Sequence, residues 1–389
     1  MASRLLRQAP ILSACAVGLG SAIKSHSDSE EIDSSTTAVT TPTSNVNPAI
    51  PTTLYKSMSP FRVAYCSPTN IMLKSHRSRL SRTLDDKYIP DWKEVLGEGA
   101  YGTVHLARER ESDGRVALKK ISKRYTNSSS FKRETNALLR IHDNGGHPNV
   151  AGLRDMYEDR HFFYLCLDLV QGGEMFEHLI RNGAYSELAA SRLFKQAASA
   201  LYFLHGVGII HADLKPENLM LSSWKEDGGN VKVVDFGCAI LEGDGDDDSV
   251  KRDAGTTAYW PPEAFKGSPC SKEMDMWSMG VILFIMLTGH HPFDLNGTNT
   301  DEEIEEIIKR NPQPPLESPV ATHLSDSAKD LIKKLMTKNK KKRMTSEELL
   351  SHPWIRGVTA RDSIMVDSDK KLSKFGERRN EGKCMCEHV

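Results

Sequence analysis

Neither sign of charge is in excess: 51 Lys and Arg stand against 52 Asp and Glu, a formal net charge of −1 over 389 residues. Without a global field, nothing draws the chain to nucleic acid or to an anionic membrane, and any preference for a basic partner has to be local. Cysteine is scarce as well. The seven cysteines are odd in number and scattered, which excludes the spacing of a disulfide-stapled secreted domain and fits a reducing, cytoplasmic setting with no disulfides. No apolar run is long enough to cross a bilayer, so no transmembrane segment is expected. The candidates are 11–23 and VILFIMLTG at 281–289; the second is apolar all round and reads as a buried core helix. Acids are absent before Asp28, where Arg4, Arg7, Lys24 and several serines surround the 11–23 run. That composition fits a mitochondrial-type presequence, a signal-peptide core or a plain disordered terminus.

Core-forming residues are few in 27–53, where Ser, Thr, Pro and Asn dominate, so this stretch is expected to stay disordered. Residues 55–82 add Lys74, Arg77, Arg79 and Arg82 and read as a solvated linker. The chain therefore divides into an extension, 1–85, a folded unit, 86–356, that starts near Tyr88, and a tail, 357–389. The acidic run EGDGDDDS at 242–249 lacks what a calcium loop needs. Counted from Asp244, the sixth and twelfth places hold Ser249 and Gly255 instead of Gly and Glu, which leaves a solvated acidic loop. The basic run KNKKKR at 338–343 likewise reads as a solvated face.

What is present is a series of motifs in one order. LGEGAYGTV at 96–104 places Gly97, Gly99 and Gly102 where backbone amides can approach phosphates with no Cβ in the way. A dinucleotide fingerprint would open a helix after the third glycine. Here Thr103 to Ala107 alternates as a strand and Gly114 marks a hairpin turn before VALK at 116–119. Lys119 in that second strand needs a carboxylate partner if it is buried in a cleft. FFYLCLDLV at 162–170 is an apolar run of strand length, and Gly172-Gly173 follows as a connector. HADLKPEN at 211–218 carries a carboxylate, an ammonium and an amide at fixed offsets. Asp213 can accept a hydrogen bond from an incoming hydroxyl, Lys215 can neutralise a phosphoryl group in transfer, and Asn218 can offer a hard oxygen to Mg2+.

HADLKPEN resembles the catalytic loop of eukaryotic protein kinases, and the Lys after Asp-Leu is similar to the serine/threonine branch. Glu134, DFG at 235–237 and PPE at 261–263 complete the series, so the resemblance covers roughly 90–355. It implies an α+β, protein-kinase-like two-lobed fold: a small β-rich lobe, a larger helical lobe and a cleft that takes ATP and Mg2+. The nucleotide would meet Leu96, Gly97, Glu98, Gly99, Ala100, Tyr101 and Gly102 as a lid, and Val104 and Ala117 above the adenine. Lys119, paired with Glu134, would meet the phosphates, Leu167 would act as gatekeeper, and Asp168 and Leu169 would lend the hinge peptide units. Asp213 and Lys215 would be catalytic and Asn218 and Asp235 would hold the metal. Thr256 would bond near Asp213 and Lys215, while Glu174 and Glu217 would read an arginine upstream of the target residue.

The resemblance also implies an ion pair between Glu263 and Arg343, a brace from Asp275 to the catalytic loop, and a column of Leu138, Leu153, His211 and Phe236. The departure is Ala212. The family's arginine there clamps a phosphate on the segment between DFG and PPE, so this chain is expected not to depend on that phosphorylation. The final helices are most similar to the calcium/calmodulin-dependent kinase group, which makes protein substrates the expected partners and calmodulin a candidate for the tail through Ile364, Met365, Leu372, Phe375, Lys370, Lys371 and Lys374. Cys384, Cys386 and His388 could ligate a metal, although a plain terminus fits as well. A nucleotide-binding scaffold without activity and a calmodulin-responsive interaction module are the alternatives.

Overall fold

The computed structural model describes residues 83–386, apart from 100–101, 126–128, 224–228 and 244–254. Expectations for the extension before Thr83, for Ala100 and Tyr101, for most of the acidic run and for His388 lie outside the described residues. The described chain opens with a helical turn, α1 (Leu84–Lys87), four residues ahead of the expected start. Asp155 explains the difference: it accepts from the Lys87 ammonium at 2.8 Å and the Tyr88 hydroxyl at 2.5 Å, pinning the turn against the sheet.

The small lobe consists of β1 (Tyr88–Gly99), β2 (Gly102–Glu109), β3 (Arg115–Ser122), α2 (Ser129–Asp143), β4 (Leu153–Glu158) and β5 (Phe162–Asp168). Its strands form one antiparallel sheet in the order β1-β2-β3-β5-β4. Period-two alternation sorts their side chains onto two faces. On one face Tyr88, Ala107, Val116, Leu118, Tyr157, Tyr164 and Cys166 bury together, capped by Leu84 of α1. The other face, with Ile121 and Leu165, packs on Leu138, Leu139 and Ile141 of α2 and is continuous with the core of the large lobe.

The large lobe follows with α3 (Met175–Arg181), α4 (Glu187–Gly206), β6 (Ile209–Ile210), β7 (Leu219–Leu221), β8 (Val231–Val233) and β9 (Ile240–Leu241). It continues with α5 (Glu273–Thr288), α6 (Asp301–Arg310), α7 (Asp326–Leu335), α8 (Ser346–Ser351) and α9 (Ser368–Cys386). Helix starts sit where capping chemistry places them. Ser186, Thr300, Ser325 and Thr345 each accept from the backbone N–H three residues on, and Thr300 and Thr345 complete capping boxes with Glu303 and Glu348. Every residue of α5 from Met274 to Thr288 is buried, which is why its sequence shows no polar stripe. Among the described residues no helix is long and apolar enough to cross a membrane.

Between β6 and β7 the chain makes the HADLKPEN loop, 211–218, closing in a 3-10 turn, Pro216–Asn218. Two short hairpin-like pairs, β6 with β9 and β7 with β8, hold its ends. The tail does not stop at the folded unit. Met365 N–H donates to the Tyr185 carbonyl, Tyr185 N–H donates to Ser368, and α9 lies along α3 and α5 with Leu372 buried.

Candidate active site

Asp275, at the start of α5, organises the 211–218 loop. It is fully buried, and its two oxygens accept from Ala212 N–H at 2.8 Å, His211 N–H at 2.9 Å and the His205 ring at 2.9 Å. Burial pushes its carboxyl up, but the His205 hydrogen bond and the other polar neighbours outweigh this and hold it below the usual aspartate range. The brace offsets local strain. Ala212 has φ of 65° and Asp235 has φ of 63°, a left-handed conformation that costs a residue with a Cβ about 1 to 3 kcal/mol.

On this loop Asp213 Oδ1 accepts from Thr256 N–H at 2.9 Å, and its Oδ2 lies 3.0 Å from Lys215 Nζ. Lys215 in turn donates to Thr256 Oγ1 at 3.1 Å, so the three form one closed set. Burial lowers the Lys215 ammonium, but the charge and hydrogen bond of Asp213, with Glu217 and Asp235 behind, raise it overall and keep it cationic. Asn218 donates through Nδ2 to the Asp213 carbonyl at 2.7 Å and is wholly buried. Its Oδ1 has no partner among the described residues. A buried carbonyl oxygen left open is costly unless a cation or donor takes it. Val234 N–H donates to the Asn218 carbonyl at 3.0 Å, which brings Asp235 alongside.

Across the cleft, Gly97 pairs with Val104, Glu98 with Thr103 and Gly99 with Gly102, so the glycine-rich stretch is a β-hairpin. The dinucleotide alternative is thereby excluded. Gly102 is needed for strand contact: a Cβ there would lie 1.9 Å from the Lys120 carbonyl oxygen. Directly paired residues share a face, and the register pairs Val104 with Lys119, Leu106 with Ala117, and Ala117 with Leu167. Val104, Ala117, Lys119 and Leu167 therefore line one side of the sheet, with Leu96 half-buried on β1. Lys119 Nζ donates to both Glu134 oxygens, at 2.5 and 2.7 Å. Leu138, Leu153 and Phe236 belong to one core that crosses both lobes, and the His211 ring lies 5.3 Å from Phe236.

A family model described as a protein kinase domain matches residues 91–355. The chain belongs to the protein kinase family. Calcium/calmodulin-dependent protein kinase type 1 of Macrobrachium nipponense is 38% identical over 296 residues, 75% of this chain and 81% of that protein. A probable myosin light chain kinase of Dictyostelium discoideum is 37% identical over 285 residues, 73% and 85% of the two chains. The type 1 enzyme of Caenorhabditis elegans is 36% identical over 301 residues, 75% and 82%. This is a serine/threonine protein kinase, similar to the calcium/calmodulin-dependent group, on a fold for which ATP binding is typical.

In this kinase the hinge begins at Asp168, whose N–H is spent on the Gly152 carbonyl at 3.0 Å. Its side chain is also engaged, with Arg154 and Lys232. Leu169 is half-buried beside it. Sequence reasoning passed over Val170, Met220 and Val234, which bury together with Ala151 between the hinge, β7 and the strand leading to Asp235. Their only signal was membership of short apolar runs. Glu174 bridges to Met220 at the start of α3, and Glu217 sits on the 3-10 turn that α3 packs against. Glu263 and Arg343 meet through two parallel bonds, 2.6 and 3.0 Å. Arg140 was also missed. From α2 it donates to the carbonyls of Gly208 and Glu242, at 3.2 Å each, joining the small lobe to β6 and β9. No group of three or more potential metal-ligating side chains occurs among the described residues.

Proposed function

We propose that this kinase transfers the γ-phosphoryl group of Mg-ATP to serine or threonine of proteins with basic residues upstream of the target. The observation that carries it is the Asp213, Lys215 and Asn218 set, with the buried Asn218 Oδ1 unpartnered among the described residues. Mg-ATP, when bound, supplies the phosphoryl group and part of its counter-charge. Asp213 orients the incoming hydroxyl and accepts its hydrogen bond, held by Thr256 N–H in one orientation. Lys215, kept cationic by its neighbours, neutralises charge that builds on the group in transfer. Asn218 and Asp235 are the residues that would hold the metal. Lys119, fixed by Glu134, would take the α- and β-phosphates, under the lid of the β1–β2 hairpin. Val104 and Ala117 above, and Val170, Met220 and Val234 below, would enclose the adenine, while Glu174 and Glu217 would meet an upstream arginine. Asp213→Asn tests this: peptide phosphorylation is expected to fall by at least about a hundredfold with ATP binding retained, and undiminished turnover would overturn the assignment.

Independence from phosphorylation between DFG and PPE is part of the same reading. Ala212 offers no charge for a phosphate clamp. Arg140 and the Glu242 to Lys272 ion pair at 2.8 Å anchor the start of that segment instead. Phosphatase treatment should leave activity unchanged. For the tail, support comes from the calcium/calmodulin-dependent relatives and from α9 on α3 and α5: calmodulin would compete for the residues that hold α9 down. A pull-down with and without calcium tests it. A cytoplasmic location is proposed, with mitochondrial targeting through 1–27 as the alternative; deleting 1–27 from a fluorescent fusion should leave the distribution unchanged.

A further inference from the structure

Asp168 ends the hinge strand, and its carboxylate gathers three donors from two lobes. Arg154 Nε of β4 lies at 2.9 Å, the N–H of Gly152 at 3.2 Å, and Lys232 Nζ of β8 at 3.2 Å. Lys232 also donates to the Val150 carbonyl at 3.1 Å. Backbone bonds already join the lobes here: Val233 N–H donates to Asn149 and Ala151 N–H donates to Val233. Lys232 is the side-chain crosspiece of that junction, 16% exposed, with Asp168 at 24%. The pairing is therefore shielded enough to hold a geometry. Burial alone would raise the Asp168 carboxyl, yet Arg154, Lys232 and Gly152 hold it below the usual range.

The two ends of the link lead to opposite parts of the site. Asp168 follows Leu167, which pairs with Ala117 on the cleft face of the sheet. Lys232 lies three residues before Asp235. We propose that Lys232, through Asp168, is a strut across the back of the hinge that sets the angle between the lobes, and so is a positioning residue for the nucleotide. Without it, binding has to order an angle that the strut already holds. The inference rests on the kinase reading of the cleft.

Arg154 supplies the control. It neutralises the same carboxylate from within the small lobe, while Lys232 reaches it from the large lobe. In the full-length protein, Lys232→Met should weaken binding of a magnesium-bound non-hydrolysable ATP analogue, measured by calorimetry, three- to tenfold. KM for ATP should rise by a similar factor with kcat within twofold, and Lys232→Arg should restore both. Arg154→Met should stay within twofold throughout. An unchanged nucleotide affinity in Lys232→Met, an equal effect from Arg154→Met, or a joint fall of kcat and melting temperature would each overturn the strut. A wild-type protein that binds no nucleotide would instead overturn the kinase reading.

Discussion

Two buried ion pairs, one in each lobe, do different work. Arg343 has no exposed side-chain surface; it forks onto both Glu263 oxygens, donates two further N–H groups to the Glu273 and Thr337 carbonyls, and lies 5.1 Å over Trp277. Lys119 is 21% exposed and meets Glu134 with a single nitrogen, joining a strand to a helix. A planar fork held by four hydrogen bonds cannot move without stranding charge. A compact ammonium on a flexible stem can exchange partners as a helix shifts. The large-lobe pair is thus part of the framework, and the small-lobe pair is the one that the proposed function places in the cleft.

The largest expected effect breaks the first pair. Arg343→Met should cost about 3 to 5 kcal/mol, because Glu263 is left buried and unpaired; the measurement is the urea midpoint at unchanged m-value, and a loss under about 1 kcal/mol would erase the contrast. Lys119→Met should lower kcat/KM roughly a hundredfold and shift the midpoint less than Arg343→Met does, because one ammonium already 21% exposed is lost rather than a fully buried four-bond guanidinium. If it unfolded the protein as far as Arg343→Met, the two pairs would be alike.

A third test uses acid on the large-lobe framework. His291 is buried, donates through Nε2 to Ala258 at 3.1 Å and accepts at Nδ1 from Phe293, so it sits neutral. Burial lowers its pKa to about 4, against smaller opposing effects of Ala258 and Asp294. The unfolded chain takes its proton first, so the contribution is whole above about pH 6.5 and is lost as pH falls toward the folded value, by at most about 1.4 kcal/mol per unit. His291→Gln should show a shallower stability slope across that window than wild type; equal slopes would remove the assignment. The smallest effect is expected at Lys272 and Glu242, 36% and 40% exposed. Lys272→Met should change stability by less than about 1 kcal/mol, since water screens the pair, and a larger loss would make this surface contact a third framework pair.

Much of the fold was legible because local chemistry states it. The all-apolar α5 and the strand alternation after Gly102 each follow from one short stretch. The candidate site was legible wherever a motif carries chemistry in its own residues, as in Asp213, Lys215 and Asn218. Val170, Met220 and Val234 were not, because they are ordinary apolar residues until three separate segments bring them together. Arg140 looked like any basic residue near a helix end until β6 and β9 arrived beneath it.

The amino-acid order by itself determined the family, the two-lobed α+β plan and the residue types available for phosphoryl transfer, since these depend on spacing and side-chain chemistry within short windows. Only the tertiary structure decided the partners that no motif implies. Asp168, numbered among the nucleotide contacts from its place in the hinge, turns its carboxylate to Arg154 and Lys232. That choice depends on a side-chain contact between segments 64 residues apart, from Asp168 to Lys232, and such a contact is a property of the assembled lobes rather than of any single stretch.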